Sequence, residues 1–467
     1  MAWEVFSPML PINPKIFKAY DIRGIYGQDF DNELAYLLGL AFVELKKHDN
    51  DYNKERPLNI AVACDMRKSS PMLKENLIRG LVTAGANVFD LNLIPTPSFY
   101  FAVGKNNYDG GIIISASHNP KEWNGFKLVR KNGRPVSGNT GIMFLKDKIL
   151  ENRFIPSPKP GTITKITGIL EEEISFAFAN IDSNLIKPLK IVADAANSMG
   201  ALYLEKIFSN LKQCELIKLN FTLDGTFPAH EADPLKEENL TQLKEAVIKN
   251  KADLGIATDG DGDRIFFVDN EGKTIKPAII RGLLAKLFLK DRPGAKIGYD
   301  VRPGKITIDM INENKGIPVE TRVGHSLIKE QMLAEDIYFA GESSGHFYLN
   351  TTIGCFEYPI LMILKLLTEF SSTSKSTSLY IKKYEKYFSS GEINCVVADK
   401  EAVFTRIKNT FSDGKISTLD GVSVSYDDFW FNVRGSNTEE KVRLNLEAIN
   451  ENIMKEKTKE ILEIIKQ

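Results

Sequence analysis

The sequence predicts an α/β fold: three tandem mixed-sheet α/β domains of similar topology plus a smaller α+β C-terminal domain, set around a central cleft. Three observations lead there. Three apolar runs end in aspartate: Leu58-Asn-Ile-Ala-Val-Ala-Cys-Asp65, Leu189-Lys-Ile-Val-Ala-Asp194 and Ala295-Lys-Ile-Gly-Tyr-Asp300. Each opens a succession of helix, strand, helix and strand, and closes on an apolar strand that runs into a polar loop. The chain has 467 residues, too many for one core and enough for about three or four domains.

The elements follow in order. Helical stretches fall at Pro71 to Ala84 and Ala201 to Leu211, and second strands at Asn87 to Ile94, Glu215 to Asn220 and Ile317 to Val323. A further helix is clearest at Glu238 to Asn250. The closing strands and loops are Gly111-Ile-Ile-Ile-Ser-Ala-Ser-His-Asn-Pro120, Leu254-Gly-Ile-Ala-Thr-Asp-Gly-Asp-Gly-Asp-Arg264 and Ile337-Tyr-Phe-Ala-Gly-Glu-Ser-Ser-Gly-His346. Short apolar strands alternating with helices indicate parallel pairing, and ligands of such sheets sit beyond the carboxyl ends of the strands. Breaks fall at Pro156-Ser-Pro-Lys-Pro-Gly161, at Asp269-Asn-Glu-Gly272 and in the polar run Ser371 to Ser378. The expected domains are therefore 1–155, 156–272, 273–371 and 372–467. The last starts strand-like at Ile393-Asn-Cys-Val-Val397 and ends in a charged helix after Asn445.

Composition excludes several classes. Sixty basic against 61 acidic side chains give a net charge of -1, without the basic surplus of a nucleic-acid binder or of a protein held on anionic membranes. No apolar run reaches the ~18 residues of a membrane span; the most apolar stretch, Pro359 to Leu367, carries Lys365 and reads as a buried helix. The start, Met1-Ala-Trp-Glu-Val, has no basic n-region. Cys64, Cys214, Cys355 and Cys395 form no CxxC pair, so neither a disulfide framework nor a zinc site is expected and a cytoplasmic location is.

Four loops carry chemistry. Asp259-Gly-Asp-Gly-Asp-Arg264 sets three carboxylates at spacing two, with glycines that let the backbone tighten around one hard cation. An EF-hand is the competitor, but its sixth position would be Gly and is Arg264, and its twelfth would be Glu and is Asn270. Ser115-Ala-Ser117-His118-Asn119-Pro120 places a serine beside a histidine at a strand end, which suits an activated nucleophile or a plain turn. No G-x-S-x-G elbow supports a serine hydrolase. Gly341-Glu-Ser-Ser-Gly-His346 offers a carboxylate, hydroxyls and an imidazole, a set for polyol binding and acid–base work. Arg434-Gly-Ser-Asn-Thr438, read as preceding a helix, has the composition of an anion cradle or of a simple helix cap.

In this order the four motifs resemble the α-D-phosphohexomutase family, phosphomannomutase/phosphoglucomutase branch, over nearly the whole chain. Lys18-Ala-Tyr-Asp-Ile-Arg-Gly24, Pro95-Thr-Pro97, Asn124-Gly-Phe-Lys127, Gly324-His-Ser-Leu-Ile-Lys329 and Ser390-Gly-Glu-Ile-Asn394 add to it. The resemblance implies a mutase that interconverts hexose 1-phosphate and hexose 6-phosphate, of mannose or glucose, through a phosphoserine and a hexose 1,6-bisphosphate. Ser117 would carry the phosphoryl group, with Asp259, Asp261 and Asp263 holding Mg²⁺ beside it. Phosphoserine adds about -1.5 to -2 charge, which the carboxylates would repel unless a cation and Arg264 intervened. Arg23, Lys127, His325 and His346 would line the reacting end, and His118 would position the nucleophile. Glu342 and Ser344 would read sugar hydroxyls. Arg434, Ser436, Asn437 and Thr438 would hold the other phosphate, with Tyr20, Arg302, Gly324 and His346 also on the substrate. The implied partners are small hexose phosphates, with no nucleic acid and no membrane, and the expected state is a monomer or weak dimer.

Three departures stand out. Arg302 occupies the place where the family often has lysine, and arginine stays protonated. Ser343 stands where dual-specificity enzymes often have Met, and Glu440 replaces a usual proline, a change read as one of helix start. Rival readings are a phosphoglucosamine mutase, a catalytically silent sugar-phosphate binder, and a phosphatase in which water attacks the phosphoserine.

Overall fold

The structure is a computed structural model that describes residues 10–435 and 441–467. Its contacts divide the chain into two units: residues up to Thr274 with Tyr348–Ser374, and Ile275–Phe347 with Lys375–Gln467.

The first unit opens with β1 (Ile22–Ile25) and α1 (Asn32–Lys47), whose cap Asp31 accepts the Glu33 N–H. Then come β2 (Asn59–Cys64), α2 (Ser70–Thr83), β3 (Asn87–Leu93), α3 (Thr96–Lys105), β4 (Gly110–Ile114), β5 (Trp123–Arg130), α4 (Met143–Glu151) and β6 (Ile163–Lys165). The sheet order is β1-β5-β4-β2-β3-β6. β2, β3, β4 and β6 run parallel, while β5 is antiparallel to β4 and β1 to β5. Two glycines let α1 and α2 meet backbone to backbone: a Cβ on Gly39 would lie 2.6 Å from the Leu77 carbonyl, and one on Gly80 2.1 Å from that of Tyr36.

The plan then repeats: α5 (Ile169–Ala179), β7 (Lys190–Asp194), α6 (Gly200–Asn210), β8 (Glu215–Leu219), α7 (Thr241–Asn250), β9 (Leu254–Thr258) and β10 (Ile265–Asp269), with sheet order β10-β9-β7-β8. The helix expected from Glu238 splits into a 3-10 turn at Glu237–Leu240 and α7. β7, β8 and β9 are parallel; β7 and β9 are apolar and buried at their centres, as strands covered on both faces must be, while the edge strand β8 stays partly exposed.

The second unit begins with α8 (Pro277–Asp291), β11 (Lys296–Asp300), α9 (Lys305–Glu313), β12 (Ile317–Thr321), α10 (His325–Glu335) and β13 (Ile337–Gly341). β12 and β13 flank β11 in parallel. The predicted repeat is thus present three times, always with its first strand in the middle: β3-β2-β4, β8-β7-β9, β12-β11-β13. After β14 (Phe347–Asn350), β15 (Cys355–Glu357) and α11 (Pro359–Ser371) belong to the first unit. The serine-rich run is a capped link: Ser371 ends α11 and the Ser376 hydroxyl caps α12 (Thr377–Ile381).

The C-terminal part is an antiparallel sheet, β16-β20-β19-β18-β17, formed by β16 (Phe388–Val396), β17 (Lys415–Ser417), β18 (Val422–Ser425), β19 (Phe429–Gly435) and β20 (Lys441–Ala448), with α13 (Lys400–Thr410) and α14 (Glu451–Lys466). One expectation needs correction here. The chain after the Arg434 motif re-enters as a strand, not a helix, because Val442, Leu444 and Leu446 alternate into the core with the period of two that only a strand can bury. Among the described residues the next element after Arg434 is β20, not a helix. Ser436, Asn437, Thr438 and Glu440 lie outside the described residues.

All four cysteines are free, and among the described residues no helix is long and apolar enough to cross a membrane.

One core group has a readable pH consequence. Glu173 of α5 is 1% exposed and, among the described residues, accepts the Ser98 hydroxyl of α3 and no other donor, so burial pushes its carboxyl up to about 7. A raised acid favours folding while protonated. Its share of stability is full below the unfolded carboxylate range and is lost as pH rises through about 7. Glu173→Gln, near in shape, is expected to leave Tm unchanged at pH 5 and to raise it at pH 8.5, by an effect of up to about 3 kcal/mol, read by calorimetry at both pH values.

Candidate active site

The first unit brings two loops together beyond the carboxyl ends of its strands. Ser117 follows β4, is 1% exposed and adopts φ 50°, a left-handed backbone unusual for serine. Its hydroxyl donates to Asp259 Oδ2 at 2.8 Å and lies 3.2 Å from His118 Nδ1. Its N–H donates to the Ser115 hydroxyl at 2.9 Å. Asp259 heads the loop after β9, and that loop comes so close that a Cβ on Gly260 would sit 2.2 Å from the Ser117 carbonyl oxygen.

The three aspartates of this loop are at most 2% exposed, and one oxygen from each lies within 4.8 Å of the others. Asp259 Oδ1 takes the Gly262 and Arg264 N–H groups at 3.1 and 3.2 Å, folding the loop on itself. Lys127 on β5 donates to Asp261 and Asp263 at 2.5 and 2.6 Å. Burial works to lower the Lys127 pKa, but Asp261 and Asp263 overcome it and hold the ammonium charged well above its usual range. Arg264 Nε is 3.7 Å from Asp259 and its Nη1 is 3.9 Å from Asp233. Even so the cluster is short of positive charge: burial first, then Asp263 and Asp261, push the Asp259 carboxyl up to about 8. Asp261 Oδ1 is buried with no hydrogen-bond partner. A buried all-oxygen set of this charge fits a hard divalent cation.

Arg23 on β1 pairs with Asp21 at 2.7 Å and donates to Asn119 Oδ1 at 2.9 Å, so it flanks the Ser117 loop. Tyr20 is half-buried in the bend before it.

The second unit holds its own constellation. Asp300, at the end of β11, accepts from Arg281 at 2.6 Å, from Arg302 at 2.5 Å and from the Ser343 hydroxyl at 2.9 Å. Burial opposes its charge, but Arg302 and Arg281 hold its pKa below the usual value. Arg302 reaches on to Glu342 Oε1 at 3.2 Å, and the same oxygen accepts the Gly324 N–H at 3.1 Å. Burial tends to lower the Arg302 pKa, yet Asp300 and Glu342 raise it above an already high value, so Arg302 keeps its proton. The Ser344 hydroxyl lies 3.0 Å from His346 Nδ1, and the His346 ring stacks on His325 with centroids 6.5 Å apart. On the antiparallel sheet Arg434 stands directly opposite Arg443. Glu392 bridges them, at 3.3 Å to Arg434 and 3.4 Å to Arg443. Burial and then the charge of Arg302 depress the Arg434 pKa, so this corner favours an added anion.

The structure thus groups Arg23, Ser117, His118, Lys127, Asp259, Asp261, Asp263 and Arg264 in the first unit, and Arg302, Gly324, His325, Glu342, Ser344, His346 and Arg434 in the second. Sequence reasoning passed over Thr96, which ties α3 to the acidic loop by donating its hydroxyl to Asp261 at 2.6 Å; its place between two prolines was the available signal. It also passed over Arg443, which lies between the Arg434 motif and the helix expected after Asn445. Ser343 is occupied with Asp300, a use for serine that its replacement by Met would lose.

Four domain families match in chain order: phosphoglucomutase/phosphomannomutase alpha/beta/alpha domain I over residues 14–152, domain II over 171–272, domain III over 276–387 and the C-terminal domain over 392–464. A phosphomannomutase of Vibrio cholerae is 37% identical over 460 residues, covering 97% of this chain and 98% of its own. One of Methanocaldococcus jannaschii is 40% identical over 452 residues, covering 96% and 97%. A crystal structure of a phosphoglucomutase/phosphomannomutase family protein from Burkholderia thailandensis superposes with a TM-score of 0.86 at 30% identity, covering 97% of this chain and 98% of that one. Fold and matches together define the class, a phosphohexomutase, which is an isomerase that relocates a phosphoryl group. The chain belongs to the phosphoglucomutase/phosphomannomutase family.

Because Gly260 lets the two loops touch, Gly260→Ala is expected to push Ser117 from Asp259. Mutase activity should fall about 10²-fold while circular dichroism stays that of the native fold; assays of both on one preparation check this.

Proposed function

We propose that this chain interconverts hexose 1-phosphate and hexose 6-phosphate, of mannose or glucose, through phospho-Ser117 and a hexose 1,6-bisphosphate intermediate. The observation that carries the reading is the 2.8 Å bond from the Ser117 hydroxyl to Asp259, which sets a strand-end serine against a buried triple-aspartate loop. The names of the Vibrio and Methanocaldococcus relatives favour mannose phosphates.

In the first half-reaction the free hydroxyl of a hexose monophosphate attacks the phosphorus of phospho-Ser117. The P–Oγ bond breaks, the bisphosphate forms, the sugar hydroxyl proton passes to a nearby base, and the leaving Ser117 Oγ takes up a proton to become a hydroxyl. The second half reverses this at the other end of the sugar and returns a phosphoryl group to Ser117. Asp259, Asp261 and Asp263 would hold Mg²⁺, which when bound stabilises charge on the transferring phosphoryl group. Lys127 and Arg264 add fixed positive charge beside the same oxygens, and Arg23 fixes the loop through Asn119. His118, 3.2 Å from Ser117 Oγ, positions the nucleophile. Glu342 and Ser344 read sugar hydroxyls. Arg302 and Arg434, with Ser436, Asn437 and Thr438, hold the phosphate that does not react. Since Arg302 keeps its proton, the stacked pair His325 and His346 is assigned the proton transfer. Four free cysteines suit a reducing cytoplasm.

Intact-mass measurement should find wild-type protein carrying one phosphoryl group and Ser117→Ala carrying none. Ser117→Ala should also lose mutase turnover on mannose 1-phosphate and glucose 1-phosphate supplied with glucose 1,6-bisphosphate, and undiminished turnover would remove the reading. Preference for glucosamine 1-phosphate in the same assay would move the substrate to the amino sugar. Mg²⁺ at about 100 times its Kd should stabilise the wild type by about 2.7 kcal/mol in thermal unfolding, and Asp261→Asn should lose most of that gain.

A further inference from the structure

Each repeated strand ends in an aspartate, and the reaction uses none of the three directly. The first, Asp65, leads to a group with no assigned role. Asp65 is 1% exposed and accepts the Ser70 hydroxyl at 2.6 Å and the Arg67 N–H at 3.0 Å. Its other oxygen pairs with Arg67 Nε at 3.3 Å. The Arg67 guanidinium is itself buried, its side chain 0% exposed. Nη2 donates to the Ser117 and Asn119 carbonyls at 2.8 and 2.6 Å, and Nη1 to those of Pro120 and Trp123 at 2.7 and 3.0 Å. Four carbonyls of one short loop thus converge on a single planar cation. From the other side Phe227 lies under the guanidinium at 5.1 Å, and the turn at Gly225 packs against the Arg67 backbone.

We propose that Arg67 is a positioning residue for phosphoryl transfer, holding Ser117 in its left-handed backbone so that the phosphoserine faces the acidic loop and not water. The proposal rests on Ser117 as the phosphorylated group. A non-glycine residue at φ 50° persists only where its surroundings over-determine it. Arg67 Nη2 binds the Ser117 carbonyl directly, and the same side chain fixes the loop on both sides of His118. Lysine could not replace it: an ammonium has three donors and no planar fork, against the five of a guanidinium. Loss of the side chain would take a buried donor from four carbonyls, of which Pro120 keeps the Trp123 N–H, and the loop would turn the others elsewhere. Phospho-Ser117 then has a second fate. Water forms a bond to phosphorus, the P–Oγ bond breaks, Oγ takes a proton, and serine and inorganic phosphate result. A loop that positions the phosphoryl group for a sugar hydroxyl suppresses this hydrolysis.

The test compares wild type, R67Q, R67K and D65N as purified full chains, each first phosphorylated with glucose 1,6-bisphosphate and checked by intact mass. Absence of the phosphoryl group from the wild type would refute the phosphoserine reading, independently of Arg67. With it present, R67Q is expected to lose about 10²-fold in kcat and to keep KM within about threefold, since sugar contacts are untouched. Inorganic phosphate released per mutase turnover should rise about tenfold as water gains access. R67K should fall between, and D65N, which keeps the cation but frees its Nε, should move the same way less far. A purely structural role would lower Tm and kcat while leaving the ratio of hydrolysis to transfer at the wild-type value, and that result overturns the proposal. If R67Q does not fold, the ratio in R67K and D65N decides in the same way.

Discussion

Three carboxylates packed within 4.8 Å of one another, almost without solvent, cannot all remain ionised unless cations are brought to them. Much of the first unit answers this constraint. β5 runs antiparallel to β4 and carries Lys127 back to the strand ends, where its ammonium bridges two of the aspartates. Arg264, the residue directly after the motif, turns toward the third. Thr96, from the first repeat, donates its hydroxyl to Asp261 in the second. Charge still falls short, as the elevated Asp259 pKa and the unpartnered Asp261 oxygen attest. That deficit is one a hard divalent cation would fill.

The same economy recurs in the repeat. Asp65, Asp194 and Asp300 close equivalent central strands, and each accepts several donors from the loops around it. Asp65 holds Arg67, Asp194 holds His230 at 3.0 Å and Asn220 at 3.0 Å, and Asp300 holds Arg281, Arg302 and Ser343. A buried carboxylate at a strand end has unused lone pairs and a fixed backbone, so it organises whatever loop donors reach it. One sequence signal thus produced three different local networks.

The repeat and its strands were legible because periodicity and burial are local properties: apolar runs of five or six residues bounded by Asp or Gly can form little but covered strands. The three aspartates stand out by spacing alone, whereas the Ser115–Pro120 loop alone fits a nucleophile or a plain turn and takes its role only from the family resemblance. What escaped were features that depend on partners distant in sequence. Arg67 looks like one surface arginine until Ser117, about 50 residues on, is folded over it. The motif at Arg434 reads as the lead into a helix because its composition is that of an anion cradle; pairing with β19 shows instead that Val442, Leu444 and Leu446 face a core. Arg443 escaped as well, since it matters only by standing opposite Arg434 on the neighbouring strand.

The second unit reverses the electrostatic problem of the first. Arg302, Arg434 and Arg443 interact across a short range, and the carboxylates among them, Asp300, Glu342 and Glu392, are already shared with other donors. The Glu392 contacts are long, 3.3 and 3.4 Å, for charge-assisted bonds that ordinarily fall near 2.8 Å. A phosphate would give each guanidinium the bidentate partner that one carboxylate bridging two of them cannot. The near-zero net charge of the chain therefore conceals two opposite local imbalances, a surplus of buried carboxylate in one unit and of guanidinium in the other. An acidic loop whose charge suits a cation and a basic corner whose charge suits an anion are what the proposed reaction requires, since it would hold one phosphoryl group still while moving another.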